Sequence, residues 1–295
     1  MNARGFFACH PAVNFLYFLL VLSFSMLFFH PLFLAASLLS AILCASTLLG
    51  GTAVRRTAKY LLPAALLAAL VNVAFSHEGA TILAYLPSGN PLTLESAAYG
   101  LAAAAMLSAL LLWCACWSAV MTADKLMYLL GRLSPSLSLV LSMTLRFAPR
   151  FRAKFREVTA ARRGMGLYPE RTRLQALRST VTVFSVMLTW SLEHAAETAD
   201  SMKSRGWGVG RRTAFSPFRL DRRDRLLLIL FALCGAALIV GKLSGALSWR
   251  YYPTLRFPLT PAALALLPVY LILCLTPILL QRKEERVWSS AAPNT

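Results

Sequence analysis

Residues 5–54 read GFFACHPAVNFLYFLLVLSFSMLFFHPLFLAASLLSAILCASTLLGGTAV, and none of the fifty is Asp, Glu, Lys or Arg. One bilayer crossing takes about 20 apolar residues, so the run is too long for one span and suits two. The break falls at His30-Pro31, which predicts spans over 12–29 and 32–49 joined by a tight turn. A cleaved secretory leader is the competing reading of the start. Against it, Arg4 is its sole charge, no cleavage pattern stands out, and a second apolar run follows at once.

Outward from this run the pattern repeats. After Arg55, Arg56 and Lys59 an apolar run covers 60–76. A loop with Glu78, Glu95, Pro87 and Pro91 and no Lys or Arg follows, then an uncharged span over 96–123. Two more apolar runs, 226–241 and 257–281, close the chain before Arg282-Lys283-Glu284-Glu285-Arg286. The expectation is an all-α polytopic membrane protein with about six spans. Residues 1–121 hold about four of them, 122–212 form a cytoplasmic-side helical region, and 213–295 hold about two spans and a basic tail.

Composition agrees. Hydrophobic residues make up 58% of the 295 and charged residues 14%, against roughly 45–50% and 25% in soluble domains. A soluble chain this apolar could not cover its surface, which excludes an ordinary cytosolic enzyme and a disordered tail protein. The charges are lopsided, 30 Lys+Arg against 12 Asp+Glu for a net of +18. A soluble nucleic-acid binder is excluded by the long charge-free blocks, so no nucleic-acid partner is expected. Cys9, Cys44, Cys114, Cys116, Cys234 and Cys274 lie in or beside apolar runs without metal-ligand spacing, and all six read as small apolar fillers.

The positive-inside rule orients the chain. The segments 55–59, 124–225 and 282–286 share the cytoplasmic side if both termini do, leaving the acidic 77–95 loop outside. Only the outer segment with Lys242, Arg250 and Arg256 breaks the pattern, mildly. Twenty of the 30 basic residues fall between Asp124 and Arg225, with 8 acidic ones. A short helix over 123–133 stops at Ser134-Pro135. A long one over 137–163 carries Phe147, Phe151, Phe155 and Val158 on one face, flanked by Arg146, Arg150 and Lys154, with Arg152 and Arg156 on the far side. A second long helix, 170–204, starts after Tyr168-Pro169 and is uncharged from 179 to 192. Fourteen uncharged residues are too few to cross, so this helix is expected to pack beneath the spans.

Motifs for chemistry are few. Gly235…Gly241-Lys242 has five residues between its glycines and Leu243 after the Lys, so it is not a phosphate loop. Glu193, Glu197 and Asp200 share a helix face, but His194 sits off it, and a solvated or salt-bridged face is the expected role. His10, His30 and His77 sit at span ends as interfacial polar rings. No nucleophilic triad stands out and no carboxylate is expected within the spans, which argues against proton-coupled transport. No cofactor and no metal ligand set is read from the chain.

Two small motifs stand apart. Arg162-Arg163-Gly164 ends the first long helix and Ser204-Arg205-Gly206 ends the second. Each has a local explanation, a basic last turn with a left-handed glycine after it. Together they place two guanidinium groups at two helix ends, shaped for acidic grooves on a partner.

With these residues the chain resembles the transmembrane T component of energy-coupling factor (ECF) transporters, the CbiQ-like proteins. The likeness is carried by Leu145-Arg146-Phe147-Ala148-Pro149, the run from Glu157 through Val158, Thr159, Ala160 and Ala161 to Arg162-Arg163-Gly164, and Ala199-Asp200-Ser201-Met202-Lys203-Ser204-Arg205-Gly206-Trp207. The family's paired Ala-Arg-Gly signature stands here as Arg-Arg-Gly and Ser-Arg-Gly. The resemblance implies a non-catalytic scaffold. Two cytoplasmic ABC-type ATPases, different or a homodimer, receive the helix ends, and a separate membrane S component binds a vitamin or transition-metal ion such as cobalt or nickel. It implies Arg163 and Arg205 as coupling arginines, Gly164 and Gly206 as their caps, and Arg146, Pro149 and Arg162 as supports of the first coupling helix. A prokaryotic cytoplasmic membrane is the implied location. Two rivals stand beside it. A conventional ABC permease subunit would use one coupling helix per chain and work in pairs, and a polytopic membrane enzyme would need the 193–200 carboxylates.

Overall fold

The computed structural model describes residues 5–76, 79–85, 91–166, 172–210, 218–245, 247, 249, 251 and 260–291. They form a 3-10 turn at Gly5–Ala8 and nine helices: α1 (Pro11–Leu27), α2 (Pro31–Leu48), α3 (Gly51–Phe75), α4 (Leu94–Val120), α5 (Ala123–Leu133), α6 (Pro135–Gly164), α7 (Arg173–Ser204), α8 (Arg222–Leu243) and α9 (Pro261–Ala291). The chain divides into two compact bodies, residues 127–217 and the remainder.

In the larger body α2, α3, α4, α8 and α9 are long and apolar enough to cross a bilayer. The sixth is α1, which at 17 residues is shorter but apolar throughout and runs through the core beside α4 and α8. The protein is therefore an all-helical, polytopic membrane protein. Its core is aromatic: Phe6, Tyr17, Phe18, Trp113, Phe231 and Tyr270 are all but fully buried, with Tyr17 edge-on to Phe6, Phe18 and Trp113 at 5.0–6.2 Å. Several buried polar groups within it pair with one another. Ser25 bonds Ser37 at 2.9 Å and Tyr270 at 3.3 Å, Trp113 donates to Ser37 at 3.3 Å, and Tyr17 donates to the Cys274 carbonyl at 3.1 Å. In a bilayer core such pairing replaces the water that a polar group would otherwise need.

Helices begin where the sequence supplies a cap. His10-Pro11 and His30-Pro31 start α1 and α2 in the same way. Each imidazole Nδ1 accepts from the backbone N–H two residues on, Ala12 at 3.2 Å and Leu32 at 3.3 Å, while the proline occupies a position whose N–H needs no partner. Both rings are buried, so they are structural caps and not the interfacial rings expected at span ends; His77 lies outside the described residues.

Several boundaries move. Helix α3 starts at Gly51, so Arg55, Arg56 and Lys59 ride on its first turns instead of a connecting loop. Helix α8 is a full 22 residues where the sequence suggested a short run, because its charged first turn, Arg222–Arg225, stays helical. The 77–95 loop holds two short antiparallel strands, β1 (Ile82–Tyr85) and β2 (Pro91–Thr93). Glu95 is not in that loop but in the first turn of α4, where it accepts from the Thr81 hydroxyl at 2.7 Å. Asp224 is likewise buried in the first turn of α8. Both carboxylates thus belong to helix starts and not to connecting loops. Gly235 and Gly241 serve close packing, against Leu20 and Leu266. Cys114 is exposed and fills no core space, unlike the other five cysteines. The helix and tail beyond 281 are continuous, since α9 runs on to Ala291.

Candidate functional site

The smaller body is built on α6 and α7. Helix α6 starts at Ser134-Pro135 and ends in two arginines; α7 is capped by the Thr172 hydroxyl, which accepts from the Gln175 N–H at 3.3 Å. Arg162 meets Ser179 near one end, Phe147 meets Trp190 and His194 further along, and Met143 joins Met202 at the other end. Pairing residues whose numbers rise on one helix and fall on the other makes the two antiparallel. Buried Ser179, Val183 and Met187 form the α7 side of the seam, opposite Phe151 and Phe155. The aromatic face read from the sequence is the one turned toward α7, with Phe147 against Trp190 and with Phe151 and Phe155 still partly exposed.

Two devices lock this pair. The Arg162 guanidinium donates to the Ser179 carbonyl at 2.8 Å and to its hydroxyl. Phe147, Trp190 and His194 form a triangular ring cluster with centroids 5.4–5.7 Å apart and the Trp190 and His194 planes 3° from parallel. His194 is thereby drawn into the seam. Glu193, Glu197 and Asp200 stay exposed, with Asp200 3.9 Å from Lys203.

Antiparallel packing sends the two Arg-Gly ends in opposite directions. About 26 residues of α7 separate Ser179, beside the α6 terminus, from Arg205, and at 1.5 Å per residue the two ends stand about 40 Å apart. Arg163 and Arg205 are both exposed. Arg146 and Pro149 reach neither terminus directly. Arg146 lies one turn from Met143, which lines the groove at the α7 end, so along α6 it groups with Arg205 rather than with Arg163. Pro149 is exposed in mid-helix and has no N–H to offer the Leu145 carbonyl.

The backbone geometry of the two ends differs. At α7 the Gly206 N–H bonds the Lys203 carbonyl and the Trp207 N–H bonds the Met202 carbonyl, both at 3.0 Å, with Gly206 at φ 75°. This is the double bond of a Schellman cap, and Arg205 is the capping residue itself. At α6 the left-handed glycine is Gly166, φ 73°, whose N–H bonds the Arg163 carbonyl at 3.0 Å. Gly164 is the last residue of the helix, which corrects its expected place as the left-handed cap. The helical hydrogen bonding continues one residue past the Arg-Gly pair, to the C-cap Met165, whose N–H keeps an α bond to the Ala161 carbonyl. Arg163 therefore projects from the last turn, and Arg205 from the stop.

Sequence reasoning passed over the apolar surround of Arg205. Met143, Met202, Trp207 and Gly208 line with it an open groove of about 440 Å³. An Arg beside a half-exposed Trp is the composition of an interface anchor. The signal was present in Ser204-Arg205-Gly206-Trp207, where Trp follows the cap.

Fold and site together define a multi-pass membrane protein whose smaller body is a helical hairpin carrying basic ends. A family model described as CbiQ, cobalt transport protein, matches residues 10–214, from α1 through the end of α7. The chain belongs to this family. No curated protein matches it.

Proposed function

We propose that the chain is the non-catalytic membrane scaffold, the T component, of an ECF-type importer in a prokaryotic cytoplasmic membrane. In this reading residues 1–121 and 213–295 supply the spans and 122–212 the coupling region, with both termini on the cytoplasmic side. Two ABC-type ATPases bind the hairpin, one at the Arg163-Gly164 end and one at the Arg205-Gly206 end. A separate S component carries the cargo, and the family's description favours a transition-metal ion over a vitamin.

The observation that carries the reading is the opposed placement of two exposed Arg-Gly termini about 40 Å apart, too far for one groove. ATP-driven motion of two partners would then pull on the two ends of a single antiparallel unit. Removing either guanidinium should cost about 2 kcal/mol or more of assembly, as for other anchor residues. Photo-cross-linkers placed at Arg163 and Arg205 in the assembled complex test this. Each site should capture an ATPase subunit; capture of no ATPase from either position would sink the proposal.

A further inference from the structure

Among the spanning helices of the larger body, α3 is the one its neighbours cover least. No residue in its apolar window, Val54–Phe75, is buried, and it rests mainly along α4. Val54, Leu61, Ala65, Ala68 and Asn72 are half-buried and make that inner face at helical spacing. Arg55, Arg56, Lys59 and Tyr60 are exposed and turn away from it. At about 100° per residue the three cations fall within one arc of about 100°, with Lys59 between the two arginines. From Arg56 to Phe75 the helix rises about 28 Å, close to the ~30 Å of a hydrocarbon core. A bilayer crossed by α3 therefore has the cluster at one headgroup layer, the cytoplasmic one in the proposed orientation. The first turn of α3 has no acidic residue, and among the described residues none of the three cations forms an ion pair.

Apolar surface lies beside the cluster and in line with it. On one side Arg56 and Tyr60 border an open groove of about 400 Å³, lined also by Leu61 and by Leu111 of α4. In line with the cations along the helix, Leu66, Leu67 and Leu70 are each more than half exposed. Leu70 stands about 16 Å from Lys59 along the axis, which is one leaflet of the hydrocarbon core. A two-chained amphiphile with a negative head matches this arrangement. Its phosphate oxygens suit two guanidinium forks and an ammonium, one chain suits the groove and the other the leucine strip. Charges that only fix topology need no groove beside them.

We propose that this corner of α3 is a binding site for one anionic phospholipid. Arg55, Arg56 and Lys59 hold its phosphate, and its chains lie against α3 and Leu111. A basic residue near an anionic lipid surface strengthens attachment about fivefold, so the three together contribute on the order of a hundredfold. Free phosphate offers the head without the chains and gains nothing from the groove.

The test uses the full chain in phosphatidylcholine vesicles that carry a trace of phosphatidylglycerol with a photoactivatable acyl chain, or of phosphatidylcholine with the same chain. Labelled peptides are read by mass spectrometry after illumination. Phosphatidylglycerol should label residues 60–70 of α3 and the neighbourhood of Leu111 at least about tenfold more than phosphatidylcholine does. Exposed Leu264 and Ile272 of α9 should label equally with both. Lys59→Gln should lower the enrichment about fivefold, and Arg55→Gln, Arg56→Gln and Lys59→Gln together should abolish it. Leu111→Trp, which keeps every charge and fills the groove, should lower it as well, and excess inorganic phosphate should leave it unchanged. Equal labelling of α3 by the two lipids in the wild type overturns the proposal. So does undiminished enrichment in the triple variant, or displacement by inorganic phosphate, which would mark a free-anion site. Should the triple variant not insert, Leu111→Trp decides, and unchanged enrichment there overturns the proposal. No ATPase enters the measurement, so its outcome is separate from that of the proposed function.

Discussion

Changing Arg162 to Ala would convert Arg-Arg-Gly into the Ala-Arg-Gly of the family signature, so motif reasoning expects a neutral or favourable result. The structure predicts the reverse. Arg162 is the clasp between the last turn of α6 and the first turns of α7, donating twice to Ser179. Hydrogen bonds to a charged group contribute about 1.5–3 kcal/mol when buried. The guanidinium is partly exposed, so the low end applies and the pair together should contribute about 2 kcal/mol. The Ser179 carbonyl keeps its helical partner, which limits the loss further. Two kcal/mol is about a 30-fold change in a local opening equilibrium. Amide exchange in the α6 residues 158–163 should therefore speed up about that much in Arg162→Ala, while α1 and α2 stay unchanged. Ser179→Ala, which loses only the hydroxyl bond, should cost about half. The double variant should show a coupling of at least about 0.5 kcal/mol, as touching partners do. Wild-type exchange at the α6 terminus in Arg162→Ala would refute the clasp.

Three further outcomes follow from the same geometry. Gly164→Ala, at a helical position with open space around it, should be neutral or mildly stabilising, whereas Gly166→Ala and Gly206→Ala force a left-handed residue and should each cost about 1–2 kcal/mol, read as fraying of α6 and α7 by exchange. His30 caps α2 through Nδ1 as the neutral ring, and burial lowers its pKa. Its contribution is therefore complete above the unfolded value of about 6.5 and is lost as pH falls through the lower folded value, so thermal stability should decline below pH ~6.5; His30→Asn, a cap that does not titrate, should flatten that slope. Trp207→Ala should weaken ATPase capture at the α7 end several-fold, by about 1 kcal/mol or more, and leave capture at the α6 end unchanged, as checked by binding measurements on each isolated cross-linking position.

Much of this architecture was written in one-dimensional patterns that lipid makes unambiguous. Charge-free windows marked the spans, His30-Pro31 marked the break between the first two, and the Phe147, Phe151 and Phe155 spacing marked the α6 face turned toward α7. What stayed illegible depended on contacts between distant residues. The α3 and α8 starts were missed because charged first turns look like loops in a hydropathy reading, although a helix end at the membrane surface tolerates them. Gly164 and Gly166 are both able to cap; only the α bond of Met165 to Ala161 chooses between them. Lys125 read as one more basic residue in a basic block, and nothing near it in sequence announces that it donates to the Phe7 carbonyl 118 positions away. The opposed Arg-Gly ends likewise required the antiparallel pairing of α6 with α7, which the two motifs alone did not state.

The central claim is that one copy of this chain holds two ATPases, one on each end of its hairpin. Native mass spectrometry of the complex purified through this chain measures that directly. The account predicts two ATPase subunits per single copy, one lost on average when Arg163 or Arg205 alone becomes Ala, and none retained when both do. Two ATPases per pair of copies, or an undiminished complement in the double variant, would contradict it.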